Sequence, residues 1–205
     1  MTEWHFYEPQ AGHGLPHDPL NAIVAPRPIG WISTVSAAGV RNLAPYSFFN
    51  LVNYHPPLIA FSSMGWKDSV ANIAETREFV WNLVTRDLTE VMNATSAGVS
   101  ADVDEFTLAG IPQTPSRLIA PPRVTASPVA FECVLTQLIR LEDRAGRALD
   151  QWLVIGEAIG IHIDCAMLEG GVYQTARAHP ISRGGGPADY FETREDALFK
   201  LRRPR

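Results

Sequence analysis

The amino-acid sequence predicts a mainly β protein, an antiparallel barrel with a few short helices. Three observations predict it. At least six stretches have strand composition, and most are joined by hairpin signals. Only two or three short stretches show helical spacing. No βαβ alternation and no Gly-x-Gly-x-x-Gly run occurs, which argues against a doubly wound nucleotide fold.

Residues 1–20 read as an N-terminal arm. Pro16, Pro19 and Pro26, with Gly12 and Gly14, keep it irregular, while Trp4, Phe6 and Tyr7 equip it to dock. Residues 29–35 follow as a strand, with Ile29, Trp31, Ser33 and Val35 on one face and Gly30, Ile32 and Thr34 on the other. Ala37-Ala38-Gly39 turns the chain, and residues 40–44 return it. After His55-Pro56-Pro57, a connection in which His55 reads as structural, residues 58–62 form a short strand of the buried kind.

Val70, Ile73 and Ala74 have helical spacing within residues 69–76, with Asp68 or Ser69 as the expected N-cap. Residues 79–84 return to strand. Asp87 and Glu90 resemble a capping box that opens a helix running to about Ala97. Residues 98–128 are proline-rich and unpatterned, a long connection of the kind that covers something or carries function. Residues 129–141 and 152–163 are the longest strands, joined through Asp143 to Arg147. Gly184 to Gly186 let backbone approach something closely, and residues 193–205 form a C-terminal tail, a short amphipathic piece ending in the basic run 201–205.

The 205 residues fit one domain, 1–205, and the 46% hydrophobic and 19% charged content supports a packed core. A formal charge of −5 leaves no basic footprint for nucleic acid. No apolar run reaches membrane-spanning length, and no basic-then-apolar leader opens the chain. A soluble cytoplasmic protein with no membrane partner is expected. Cys133 and Cys165, far apart and without CxxC spacing, read as buried thiols in a reducing compartment.

The chemistry concentrates in residues 26–50. There Ser, Thr and Asn stand among Trp31, Tyr46, Phe48 and Phe49, a mixture that suits a flat ligand with polar edges as well as a core. Lys67 to Ser69, at a strand end ahead of a helix, combine free N–H groups, a cation and a hydroxyl that could face a phosphate. Ser33, Thr34, Ser62 and Ser63 lie on strands whose hydroxyls could converge. Metal binding has little support. His13 and His17 sit in an irregular arm, and His162 with Asp164 has no third ligand nearby. No GxSxG or Cys-His nucleophile pattern occurs.

Arg27 to Val35, Asn42 to Phe49, Pro56 to Ser63 and Lys67 to Ile73, in this order and spacing, resemble the flavin reductase-like family of FMN-binding split barrels. So do Phe131-Glu132-Cys133, the run from Gly156-Glu157 to Asp164, and the Arg-Gly-Gly-Tyr pattern from Arg183 to Tyr190. The resemblance spans about residues 20–192. It implies an antiparallel, Greek-key type FMN-binding split barrel that forms a homodimer with FMN near the subunit interface. By it, Ser33, Thr34, Ser62, Ser63, Lys67 and Ser69 surround the phosphate and ribityl chain. Asn42 and Tyr46, Ser47, Phe48 and Phe49 line the isoalloxazine, with Trp31 nearby.

The implied activity passes a hydride from NAD(P)H through FMN to free flavin, a metal complex or a partner oxygenase. The acceptor is thus a small molecule or a protein. The Gly-Asp-His type motif of members that use NADH has no counterpart, since the equivalent region reads His179-Pro180-Ile181-Ser182-Arg183-Gly184-Gly185-Gly186. His179 and Arg183 are the candidates for a nicotinamide-side pocket. Two other readings remain open: an FMN electron carrier with little NAD(P)H turnover, and a binding module on the same barrel that has lost flavin.

Overall fold

Strand-forming runs whose side chains alternate in character must present two faces, and each face needs cover. The computed structural model, which describes residues 2–204, shows how the chain supplies it. In order, the strands are β1 (Arg27–Pro28), β2 (Gly30–Val35), β3 (Arg41–Tyr46), β4 (Phe49–Asn53), β5 (Leu58–Met64), β6 (Glu78–Asn82) and β7 (Gln113–Thr114). They continue as β8 (Arg123–Val124), β9 (Val129–Glu142), β10 (Ala148–Ile163), β11 (Leu168–Glu169), β12 (Val172–Tyr173), β13 (Ile181–Arg183) and β14 (Tyr190–Glu192). The helices are α1 (Leu20–Ile23), α2 (Asp68–Thr76), α3 (Thr89–Ala94) and α4 (Glu105–Leu108).

Seven strands form one antiparallel sheet in the order β3-β2-β6-β9-β10-β5-β4. Its two edges, β3 and β4, are consecutive in the chain and joined by Ser47 and Phe48 alone. With so short a link the sheet must curl to bring its edges together, and the N–H of Ser62 on β5 extends the β4–β5 ladder into the link by donating to the Phe48 carbonyl at 2.8 Å. The mainly β split barrel expected from the sequence is the architecture observed.

Alternate residues of β2 enter different cores. Ile32 packs with Phe61, Phe79, Val70, Ile73 and Val154, where Phe61 meets Phe79 edge-on at 5.9 Å between ring centroids. Trp31 packs on the opposite face with Leu43, Met92, Phe106, Val124 and Ile181.

Helix α2 forms because Val70 and Ile73 bury one stripe against the barrel. It ends at Arg77, whose left-handed backbone (φ 68°) lets its N–H reach the Ile73 carbonyl. The N-cap position is Lys67, not Asp68 or Ser69 as expected, and no side chain caps it. The expected Asp87–Glu90 capping box is also absent. A 3₁₀ turn over Arg86–Leu88 leads into α3, whose N-cap Leu88 makes no side-chain cap and which stops at Ala94, short of the expected Ala97.

Within residues 98–128 lie α4 and the β7–β8 pair. Asp104 caps α4 by accepting from the N–H groups of Phe106 (2.9 Å) and Thr107 (3.4 Å). The buried Glu132 pins this connection to the barrel. It accepts from the N–H groups of Arg117 (2.8 Å) and Leu118 (2.7 Å) and from Nε2 of His162 (2.5 Å). This gives His162 a carboxylate partner and leaves Asp164 to cap the turn that follows.

Gly185 presses against the backbone of Ala22 in α1, where any side chain would overlap it. The arm itself docks little: Trp4 and Phe6 are exposed, and Tyr7 contacts only the rings of His5 and His13 among the aromatic groups. Cys133 is buried as expected, and burial pushes its thiol pKa up strongly. Cys165 is not. It lies in an exposed 3₁₀ turn after β10, beyond the last residue the sheet covers.

Candidate functional site

The link between β3 and β4 makes the split of the barrel, and a cavity of about 440 Å³ opens there. Strand β3 supplies Asn42 and Tyr46, the link supplies Ser47 and Phe48, and β5 supplies Ser62. The start of α2 brings Lys67, Asp68 and Ser69, and the segment after α3 closes the far side from Thr95 to Val99. Glu105, the first residue of α4, completes the wall. A second, more apolar cavity of about 570 Å³ adjoins it and shares Ser47, Phe48 and Ser62. Arg27 lies 5.7 Å over the Phe48 ring there.

Of the residues singled out from the sequence, the structure brings together Asn42, Tyr46, Ser47, Phe48, Ser62, Lys67 and Ser69. Phe49 faces the adjoining cavity and stacks on Trp81 at 5.3 Å. Ser63 is buried beside them and donates to the Gly65 carbonyl at 3.0 Å. Thr34 stands behind Asn42, where it accepts from Nδ2 of Asn72 at 3.0 Å.

Trp31 and Ser33 do not line the cavity. Both point to the other face of β2, where Ser33 donates to the Pro122 carbonyl and Trp31 Nε1 donates to Thr95 Oγ1 at 2.9 Å. His179 and Arg183 are elsewhere too. His179 bonds Glu192 Oε1 at 2.6 Å in a separate cavity with Thr85 and Arg86. The Arg183 guanidinium covers the Tyr190 ring at 4.9 Å and donates to the carbonyls of Asp189 and Pro187.

The site also contains groups that sequence reasoning missed, Thr95 to Val99 and Glu105, beside Asp68, which was expected there only as a helix cap. Glu105 is nearly fully buried and accepts from Asn42 Nδ2 (2.9 Å) and the Leu43 N–H (3.0 Å). Burial raises its pKa most, the Leu43 and Asn42 donors pull it back, and Asp68 raises it further. The Tyr46 hydroxyl is buried with no hydrogen-bond partner of ordinary geometry. Burial raises its pKa, against the nearby hydroxyls of Ser69 and Ser63.

The arrangement can take a flat ring with polar edges beside Phe48 and an anion near Lys67 and the first N–H groups of α2. A curled antiparallel sheet with such a cavity at its split defines a protein of the split-barrel class. The chain belongs to the family described as flavin reductase like domain, whose model matches residues 24–182. Nitrilotriacetate monooxygenase component B from Bacillus cereus is similar in structure, with a TM-score of 0.82 and 31% identity, covering 89% of this chain and 90% of that one. The 2-nitrobenzoate 2-nitroreductase of Pseudomonas fluorescens has a TM-score of 0.79 at 29% identity, covering 90% of this chain and 88% of its own. An uncharacterized protein of Aquifex aeolicus is 36% identical over 172 residues, 80% of this chain and 83% of that one.

Proposed function

We propose that this protein is an FMN-dependent oxidoreductase of the flavin reductase type, with FMN held in the cavity at the barrel split. The reading is supported by family membership and by relatives whose names place them in a monooxygenase system and among nitroreductases. The observation that carries it is the cavity's composition. The half-buried Ser47 and Ser62, Lys67 at the start of α2 and the Phe48 ring meet the three chemistries of a flavin mononucleotide: polar edge, phosphate and planar ring. When bound, FMN supplies two-electron and one-electron transfer at its ring. The chain's own residues bind and orient. Lys67 and the α2 N–H groups receive the anion, Phe48 and Ser47 border the ring, and the 95–99 segment excludes water from one side.

In this reading NAD(P)H donates a hydride, and a small molecule or protein accepts the electrons through the adjoining apolar cavity. The protein acts in the cytoplasm as a homodimer. The exposed Phe48, Leu51, Val52 and Tyr54 on and around β4 form the apolar edge a second copy would cover beside the cavity.

One observation favours an electron carrier with little NAD(P)H turnover. Neither His179 nor Arg183, the two candidates for a nicotinamide pocket, reaches the flavin cavity. Anaerobic stopped-flow mixing of the FMN-loaded protein with NADH or NADPH separates the two. Rapid loss of the flavin's visible absorbance supports the reductase; a spectrum that persists through many seconds supports the carrier.

A further inference from the structure

The hydrogen-bond directions around Asn42 follow from one group, Glu105. A carboxylate accepts and does not donate, so Asn42 must turn its amide nitrogen toward Glu105 Oε1, where the distance is 2.9 Å. The second carboxylate oxygen takes the N–H of Leu43 at 3.0 Å, which fixes the carboxylate plane. Asn42 Oδ1 therefore faces the other way, toward Ser69 and Thr34. Ser69 donates to it at 2.7 Å. Thr34, which accepts from Asn72 Nδ2 at 3.0 Å, turns its own hydrogen to the same oxygen at 3.4 Å. The hydroxyl protons of Ser69 and Thr34 are thus both directed to Asn42, away from the cavity. Ser69, nearly buried at the cavity's edge, is left with lone pairs only, for the Tyr46 hydroxyl beside it and for a ligand.

We propose that Glu105 is a positioning residue that turns the Ser69 hydroxyl proton away from the ligand through Asn42. The wall from Asn42 to Ser69 then binds hydrogen-bond donors, the hydroxyl chain of FMN, and not its phosphate. The inference rests on the FMN reading above. It removes Ser69 from the phosphate-binding groups and leaves that work to Lys67 and the backbone of α2. The neighbouring charge agrees. Glu105, bonded directly to Asn42, puts a negative charge behind this wall, which disfavours an anion at Asn42 and favours hydroxyl protons.

The test compares FMN, riboflavin and lumiflavin, which share the ring. FMN and riboflavin share the hydroxyl chain, and only FMN has the phosphate. Glu105→Gln offers one acceptor where two donors need one each, so Asn42 flips or Leu43 is orphaned. Titration by flavin fluorescence should show affinity for FMN and riboflavin falling together, about tenfold or more, with lumiflavin unchanged. Ser69→Ala, which leaves the carboxylate and amide in place, should weaken FMN and riboflavin by the same factor. The proposal is overturned if Ser69→Ala weakens FMN and spares riboflavin, since the hydroxyl would then read the phosphate. It is also overturned if Glu105→Gln leaves all three unchanged, or weakens lumiflavin equally, the mark of a purely structural residue. Should the wild-type protein bind none of the three flavins, the FMN reading itself fails, a result distinct from any change among variants.

Discussion

The indole Nε1 of Trp31 donates to Thr95 Oγ1 at 2.9 Å, joining the core face of β2 to the wall of the cavity. Thr95 passes its own proton to the Met92 carbonyl at 2.7 Å, which ties the end of α3 to the same point. Trp31 thus supports the site from behind.

Trp31→Phe removes that donor and leaves a void in the cluster of Leu43, Met92 and Phe106. Unfolding in urea should show a loss of about 2–4 kcal/mol. FMN affinity should fall as well, because the segment from Thr95 to Val99 loses its anchor. A variant with wild-type stability would show that the indole is not buried as described.

The Glu132 carboxylate predicts a pH dependence. Burial alone would raise its pKa, but the N–H of Arg117, His162 and the N–H of Leu118 together hold it below the ordinary value. A carboxyl depressed in the folded state contributes stability above its unfolded pKa, near 4.3 for glutamate, and loses it as pH falls through the folded value. Wild-type unfolding free energy should therefore drop as pH is lowered below about 4.5. Glu132→Gln, destabilised by about 2–4 kcal/mol at neutral pH, should show a shallower acid slope. Equal slopes would refute the assignment. The first segment to loosen in acid should be residues 113–124, and hydrogen exchange at Arg117 and Leu118 checks this.

At Gly156 on β10, an added Cβ would collide with the ring of Phe79, which is fully buried, and would lie 3.3 Å from the Val134 carbonyl. The ring has no free space to enter. Gly156→Ala should cost about 1–3 kcal/mol through overpacking, read as a lowered thermal midpoint. Little change would mean that the sheet can open here, where the β9–β10 register shifts between Ile155 and Gly156.

Lys67→Ala should weaken FMN by about 1–3 kcal/mol, the scale of a charge-assisted hydrogen bond, and leave riboflavin unchanged. Equal effects on both ligands would move the phosphate elsewhere.

Much of this architecture was legible in the sequence. The hairpin of β2 and β3, the strand β5, the stripe of α2 and the long pair β9–β10 all follow from alternation and turn residues. The same alternation already separates Trp31 and Ser33 from Thr34, since residues one apart in a strand cannot share a face. Grouping them in one site set chemical type above geometry. Glu105 was less visible. It lies in proline-rich chain without periodicity, and its partners Asn42 and Leu43 are 63 and 62 residues away in sequence. The local signal was Asp104, a short polar residue that opens an apolar turn as an N-cap. Cys165 was misplaced because cysteine is usually buried, and nothing nearby marks where β10 ends its cover.

The central claim is that the cavity between Phe48 and Lys67 holds FMN. Titrating FMN with the flavin-free protein, followed by flavin fluorescence, tests it most directly. Saturable quenching at one flavin per chain, weakened by Lys67→Ala, is the predicted result. Flavin fluorescence that stays unchanged as protein is added would contradict it.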